Sequence, residues 1–343
     1  MIVAEGGQDP VELTASSRSP DAALTALRRS GVARQPSGRW AAADGSGVAA
    51  VLDSDAVVVG PLEPPATAIE RLRARMARFS DGDAHTRRRA LAVGALDGLD
   101  PGRIGDRAGE LTATALDERA TADVSELAQR VPVRVLAEAM GWDDTAVDEA
   151  VALLCARLAP RCDHPARPED ATVLARLGQV VAVLDERNVN LLAVLFQARD
   201  ATAALVLVAA SRLLDGTARV VTVADVLAAD RAEPVLHTTA RRTVTDLTLG
   251  TVTLPAGSEV VVALGAATRA GIDGTASFGA GAHACPGRDL ALAIAAGMLT
   301  ALGRRGARVD RPIGYEPRPN LRVPVLRPAK LTADRAATGG DHR

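Results

Sequence analysis

The segment Phe278-Gly279-Ala280-Gly281-Ala282-His283-Ala284-Cys285-Pro286-Gly287 sets one cysteine in a glycine-rich loop, just before an alanine- and leucine-rich run from Asp289 to Arg305. That run reads as a helix, broken only by Gly297 and Gly303. Pro286 suits a first helical position, where a missing N–H costs nothing. Cys285 therefore reads as lying at a helix N-terminus. There the positive end of the dipole and the unpaired backbone N–H groups favour a thiolate. A thiolate with backbone donors around it is a good single axial ligand for haem iron. Gly279 and Gly281 allow positive φ and a close backbone approach to a flat cofactor. The competing reading is a buried structural cysteine in a Gly/Ala loop.

The ten residues resemble the haem-binding signature of the cytochrome P-450 family, F-G-x-G-x-H-x-C-x-G, at every specified position. The resemblance covers about residues 18 to 331. It implies a mainly α fold with a small β lobe: one haem domain over 18–331, a flexible N-terminus over 1–17 and a disordered tail over 332–343. It also implies haem b, with Cys285 as the metal ligand and Phe278, Gly279, Gly281 and Gly287 in the binding loop. The segment His85-Thr86-Arg87-Arg88-Arg89 is similar to the family's H-T-R-x-R, which places His85 and Arg89 on the haem propionates. Arg241 precedes Asp246 by the spacing of the family's R-x-A-x-E-D and resembles a third propionate ligand; His283 would be a fourth. Buried carboxylates require such cationic or hydrogen-bonding partners. Taken alone, Arg87 to Arg89 would read as a solvated helix face.

The apolar run Val189 to Leu214 reads as a long buried helix with polar residues only in its middle. It is similar to the family's oxygen-activating helix, whose A/G-G-x-D/E-T-T aligns with Gln197-Ala198-Arg199-Asp200-Ala201-Thr202. The resemblance makes Asp200, Thr202 and Arg199 the catalytic candidates. The acid is kept as Asp200, Ala201 replaces the proton-delivering threonine, and Thr202 points about 100° further round the helix. Arg199 either pairs with a substrate carboxylate or neutralises Asp200; a structural pair facing away from the haem is the plainer alternative. Two more departures concern the cysteine side. The family's E-x-x-R is absent, its place holding Leu227-Ala228-Ala229-Asp230, and the meander before the loop is reduced to Ala270 to Ser277.

The remaining elements must position these groups. Residues 19–30 read as a capped helix, 39–43 and 47–52 as a strand pair, and 83–95, 123–140 and 144–158 as helices. Pro132 is expected to split the second of these. Residues 161–170 read as a loop, 243–262 as β structure and 321–331 as a closing strand pair. Only six residues are aromatic, so Ala, Leu and Val must build the core. A net charge of −2 supplies no basic patch for nucleic acid. The acidic start reads as neither a signal peptide nor a membrane anchor. Three cysteines, Cys155, Cys162 and Cys285, argue against a disulfide framework and fit a reducing cytoplasm. Cys162-Asp163-His164 lacks a second ligand pair and reads as a loop.

The resulting expectation is a haem-thiolate oxidase or monooxygenase of cytoplasmic location. It would act on a small organic molecule of secondary metabolism, with a ferredoxin-type electron donor or with peroxide. No nucleic acid or membrane partner is expected. The alternative is a catalytically degenerate P-450-like helper subunit of a natural-product glycosyltransferase, which the shortness and the missing motifs would suit and the intact cysteine loop would not.

Overall fold

A computed structural model describes residues 21–60, 64–117, 119–142, 146–159, 168–269, 276–316, 318 and 320–332. The expectations for the N-terminus over 1–17, most of the 161–170 loop, most of the short meander and the tail beyond Thr332 fall outside these residues.

Asp21–Ser30 (α1) leads into a hairpin of Val32–Arg34 (β1) and Trp40–Ala42 (β2). The strand expected at 47–52 is instead a helix, Gly45–Leu52 (α2). Asp44 caps it by accepting from the Gly47 N–H at 2.9 Å. Val48, Val51 and Leu52 then fall on one face and are buried. Val57–Val58 (β3), Ala68–Arg73 (α3) and a 3₁₀ turn at Ala77–Phe79 precede the helix Gly82–Leu96 (α4). Pro101–Leu116 (α5) starts with Asp100 as cap and Pro101 in the first turn. Thr121–Ala122 (β4) is followed by Val124–Ala139 (α6). This helix is continuous through Pro132, which is buried in it. Packing along the central helix offsets the lost backbone bond, so the expected break does not occur.

Ala146–Leu158 (α7), Asp170–Val180 (α8), Glu186–Leu213 (α9) and Val223–Ala232 (α10) follow. Then come Thr239–Thr243 (β5), Leu247–Leu249 (β6), Val252–Leu254 (β7), Glu259–Val262 (β8) and Leu264–Arg269 (α11). Short 3₁₀ turns at Ala276–Phe278 and Gly281–His283 introduce the last helix, Arg288–Arg304 (α12). Gly314–Glu316 (β9), Val323–Val325 (β10) and Ala329–Lys330 (β11) complete the regular structure of the described residues. The expected closing pair is corrected here: β10 pairs with β9, and β11 with the distant β4. Thr332 is anchored through its N–H and hydroxyl to the Arg305 carbonyl.

The main sheet has the order β1-β2-β8-β5-β3, with only the β2–β8 pair parallel. The helices gather around α9, which packs against α4, α6, α7, α10 and α12. By length and composition α9 could cross a membrane, but 72% of its apolar window is buried inside the fold, as suits a core helix. Helices α5 and α12 touch backbone to backbone. A Cβ on Gly105 would lie 2.9 Å from the Ala293 carbonyl, and one on Gly109 3.2 Å from that of Gly297. A Cβ on Gly297 would run into the Gly105 carbonyl. With few aromatic side chains available, close approach of small residues supplies the core's packing density.

Candidate functional site

Helix α4, strand β5 and the loop before α12 bring His85, Arg89, Arg241, His283 and Cys285 together beside α9, where the solvent-exposed Arg78, Ala201 and Cys285 mark a cleft. The His85 and His283 rings stack with centroids 4.0 Å apart. Arg89 acts electrostatically on both histidines and on Cys285, and Arg241 acts on His283. Burial, with His85, Arg241 and Arg89 adding repulsion, drives His283 down to about 4. Burial and then Arg89 lower His85. Burial, with repulsion from Arg78, takes Arg241 down to about 10. Among the described residues, the carboxylate felt by both histidines and Arg241 is Asp81, the N-cap residue of α4. Its oxygens already accept from the N–H groups of Val59 and Gly60 at 2.9 and 2.8 Å. The cluster is therefore rich in cations and short of anions, which fits a group bearing two carboxylates. The neighbouring arginines differ. Arg87 and Arg88 both bind Glu186 at the start of α9, at 3.0 and 3.1 Å, which pulls Glu186 down to about 2.

Cys285 opens onto the same cleft. Its N–H donates to the Phe278 carbonyl at 2.8 Å, and the Gly287 N–H points at its sulfur. Gly287 is the cap of α12, so Pro286 lies in the turn ahead of the helix rather than in its first turn. Although reachable from the cleft, the thiol lies deep in the protein. That burial pushes it up, against the Gly287 N–H, Arg78, Arg89 and Arg288. Desolvation thus outweighs the helix terminus. Gly279 and Gly281 take φ of 71° and 63°. The close approach at Gly281 is to protein, not to a cofactor: a Cβ there would lie 2.6 Å from the Leu52 carbonyl oxygen and from Asp53 Oδ1. Gly287 faces Leu96 of α4, and the Arg288 guanidinium lies 5.7 Å from the Phe278 ring centre.

No protein-family model and no curated protein matches the chain. Solved structures do. P450 OxyD, involved in the biosynthesis of vancomycin-type antibiotics, aligns with a TM-score of 0.74 at 18% identity, covering 97% of this chain and 100% of its own. The P450 heme domain of Tepidiphilus thermophilus gives 0.73 at 17% identity, over 94% and 96%. P450BioI, in complex with an acyl carrier protein ligated to hexadec-9Z-enoic acid, gives 0.71 at 18% identity, over 92% and 98%. The chain has the cytochrome P-450 fold.

Within this P-450 fold, α9 presents two different faces at its middle turn. Gln197 faces the cleft, accepting from Arg78 Nη1 at 3.4 Å, while its own Nε2 donates to the Ala193 carbonyl. Ala201, one turn on and on the same face, is exposed although the nine residues after it are buried. Thr202 is 3% exposed and belongs to the core, so the structure does not bring it to the cleft. Arg199 and Asp200 look the other way. They pair at 2.7 Å; Arg199 also donates to Gln129 of α6, and Arg318 approaches Asp200 at 3.3 Å and Glu316 at 3.2 Å. Both also act on the buried Cys155 of α7, whose thiol burial pushes up.

The place of the absent E-x-x-R is filled differently in this P-450 fold. Asp230 of α10 is 3% exposed and accepts from the Val235 N–H at 3.0 Å. It also bonds Ser277, whose hydroxyl lies 3.1 Å from that of Thr268. Burial raises the Asp230 carboxyl. Ser277 directly precedes Phe278, so this small network holds the start of the cysteine loop. Sequence reasoning missed it, and it missed Arg78, for which no local pattern signals a role.

Proposed function

We propose that the protein is a haem-thiolate oxidase or monooxygenase acting on a small organic molecule, with Cys285 as axial ligand of haem b. The observation that carries this reading is the cluster of His85, His283, Arg89 and Arg241, with Asp81 as its nearby carboxylate, around an accessible Cys285. When bound, the haem supplies the electron-transfer and oxygen chemistry. The protein's own groups divide the remaining work. Arg89 and Arg241, with His85 and His283, hold the propionates; Phe278, Gly279, Gly281 and Gly287 shape the loop that aims the sulfur. The Gly287 N–H donates toward that sulfur and tempers its charge.

On the opposite side, Ala201 offers a methyl group where the resemblance expects a threonine hydroxyl. Gln197 is tied to Ala193 and Arg78, and Asp200 is held in an ion-pair network. No titratable side chain of this helix face is placed to pass a proton into the cleft. This supports hydrogen peroxide, which carries its own protons, as oxidant alongside dioxygen with a ferredoxin-type donor. A role in secondary metabolism is supported by the likeness to OxyD, and a cytoplasmic location by the three cysteines.

The test is the absorption spectrum of protein expressed with a haem precursor, reduced under carbon monoxide. Wild type is expected to show a haem-thiolate band, and Cys285→Ala to lose it. A wild type that stays colourless would overturn the enzyme reading and favour the glycosyltransferase-helper alternative.

A further inference from the structure

Like Arg89 and Arg241, Arg78 stands apart from the arginines near the cleft that are ion-paired, and among the described residues it alone of the three reaches α9 by a hydrogen bond. Arg87 and Arg88 share Glu186, and Arg199 and Arg318 share Asp200 with Glu316 on Arg318, so each of these arginines has a carboxylate within 3.3 Å. No carboxylate among the described residues lies within 4.0 Å of Arg78; its one protein hydrogen bond there is the long one to Gln197 Oε1. A guanidinium carries five donors and does not deprotonate in proteins, so a neutral amide at 3.4 Å leaves most of its capacity unused. Its charged surroundings make the shortage plain. Arg73 and Arg241 repel it, and Cys285 is the acidic group near it. Asp81, the remaining carboxylate of the cluster, is committed to two backbone N–H groups and lies 3.9 Å from His283.

The position is also defined. Arg78 sits in the 3₁₀ turn between α3 and α4, with Arg73 and Arg78 on the Phe79 ring at 4.3 and 5.8 Å. Phe79 in turn meets Phe196 of α9, ring centres 6.4 Å apart. The guanidinium thus lies between α9 and Cys285 beside a two-ring apolar wall. Carboxylates bind arginine through paired, charge-assisted bonds, and an apolar body packs on such a wall.

We propose that Arg78, with Gln197 beside it, is a carboxylate-binding site of the cleft. The carboxylate comes from an acidic organic substrate whose apolar part lies on Phe79 and Phe196, or from a haem propionate. This proposal rests on the haem reading for its setting, and its test can fail separately from that reading. Arg78→Gln and Arg78→Lys would be compared with wild type for haem content, haem transfer to apomyoglobin, and the spectral and melting-temperature response to decanoate and to decanol. A substrate site predicts that Arg78→Gln keeps its haem and binds decanoate about tenfold more weakly or worse, with decanol unchanged and Arg78→Lys intermediate. A propionate site predicts haem loss about tenfold faster in Arg78→Gln, with no selective change toward decanoate. If wild type proves colourless, the haem reading fails, yet a rise in melting temperature with decanoate in wild type and not in Arg78→Gln still supports the site. Equal haem retention together with equal decanoate response in wild type and Arg78→Gln overturns it.

Discussion

The two sides of the cleft handle charge in opposite ways. On the cysteine side, Arg89 and Arg241 crowd together with His85 and His283, Asp81 is the carboxylate acting on Arg241 and both histidines, and the histidines are driven toward their neutral forms. At the back of α9, Arg199, Asp200, Arg318 and Glu316 satisfy one another within 2.7–3.3 Å. The first arrangement has something left to bind, and the second is complete without a ligand. Identical residue types therefore read as a site in one place and as a brace in the other. What separates them is not the presence of charge but whether protein already answers it.

That contrast can be broken most sharply at two neighbouring arginines. Arg89→Ala is expected to speed haem loss roughly 10- to 100-fold, from about 1.5–3 kcal/mol for a contact to a charged group. Arg87→Ala gives up an exposed pair worth about 0–1 kcal/mol and should retain haem. Equal transfer rates to apomyoglobin would show that the register of α4 is misread. The brace is tested next. Asp200→Asn should lower unfolding stability by about 1–3 kcal/mol in urea titrations, because two arginines lose their common partner. The haem spectrum should stay as in wild type. Unchanged stability with depressed turnover would instead return Asp200 to the catalytic group.

A smaller effect is expected at Asp230. Its folded pKa lies above its unfolded value, so the folded state holds the extra proton. The stability this contributes is present below the ordinary carboxylate range and is lost as pH rises through the folded pKa. Asp230→Asn should remove that dependence, gaining on wild type as pH rises across the window. Parallel stability-against-pH curves for the two proteins would exclude a titrating Asp230. The smallest change is expected from Ala201→Thr, which restores a hydroxyl to the cleft face of α9. Coupling of dioxygen consumption to product should rise and peroxide use should fall, by less than the roughly 10²-fold of a complete acid–base catalyst. No change in either would show that water already moves the proton.

The cysteine loop and the His85 to Arg89 segment stand out in the sequence because each packs its candidate residues into a few consecutive positions. The long core helix is legible too, since a long apolar run with a single polar turn suits a buried helix and little else. Helix α5 is hidden although Asp100 followed by Pro101 marks its start, because glycines dilute its apolar pattern. The strand expected at 47–52 fails because the β propensity of Val carries less weight there than the cap at Asp44, which decides the backbone locally. Arg78 and the Asp230–Ser277–Thr268 network cannot be read at all. Their meaning arises from partners far away along the chain or from tertiary burial, as with Arg78 against Cys285 and Asp230 against Ser277. The direction of each arginine in the run 87–89 is likewise invisible until Glu186 claims two of them.

The seam between α5 and α12 has a bearing on how this sequence can change. Helix α12 carries the cysteine loop at its start, and Gly297 is where it presses against the Gly105 carbonyl. In a protein rich in bulky side chains, the least replaceable positions are the large ones. Here a single added methyl at Gly297 would pry apart the two helices beneath the loop and tilt the sulfur's support. Saturation mutagenesis should therefore find its deepest intolerance outside the cleft at glycine and alanine, and a search for thermostable variants would do well to leave that seam untouched.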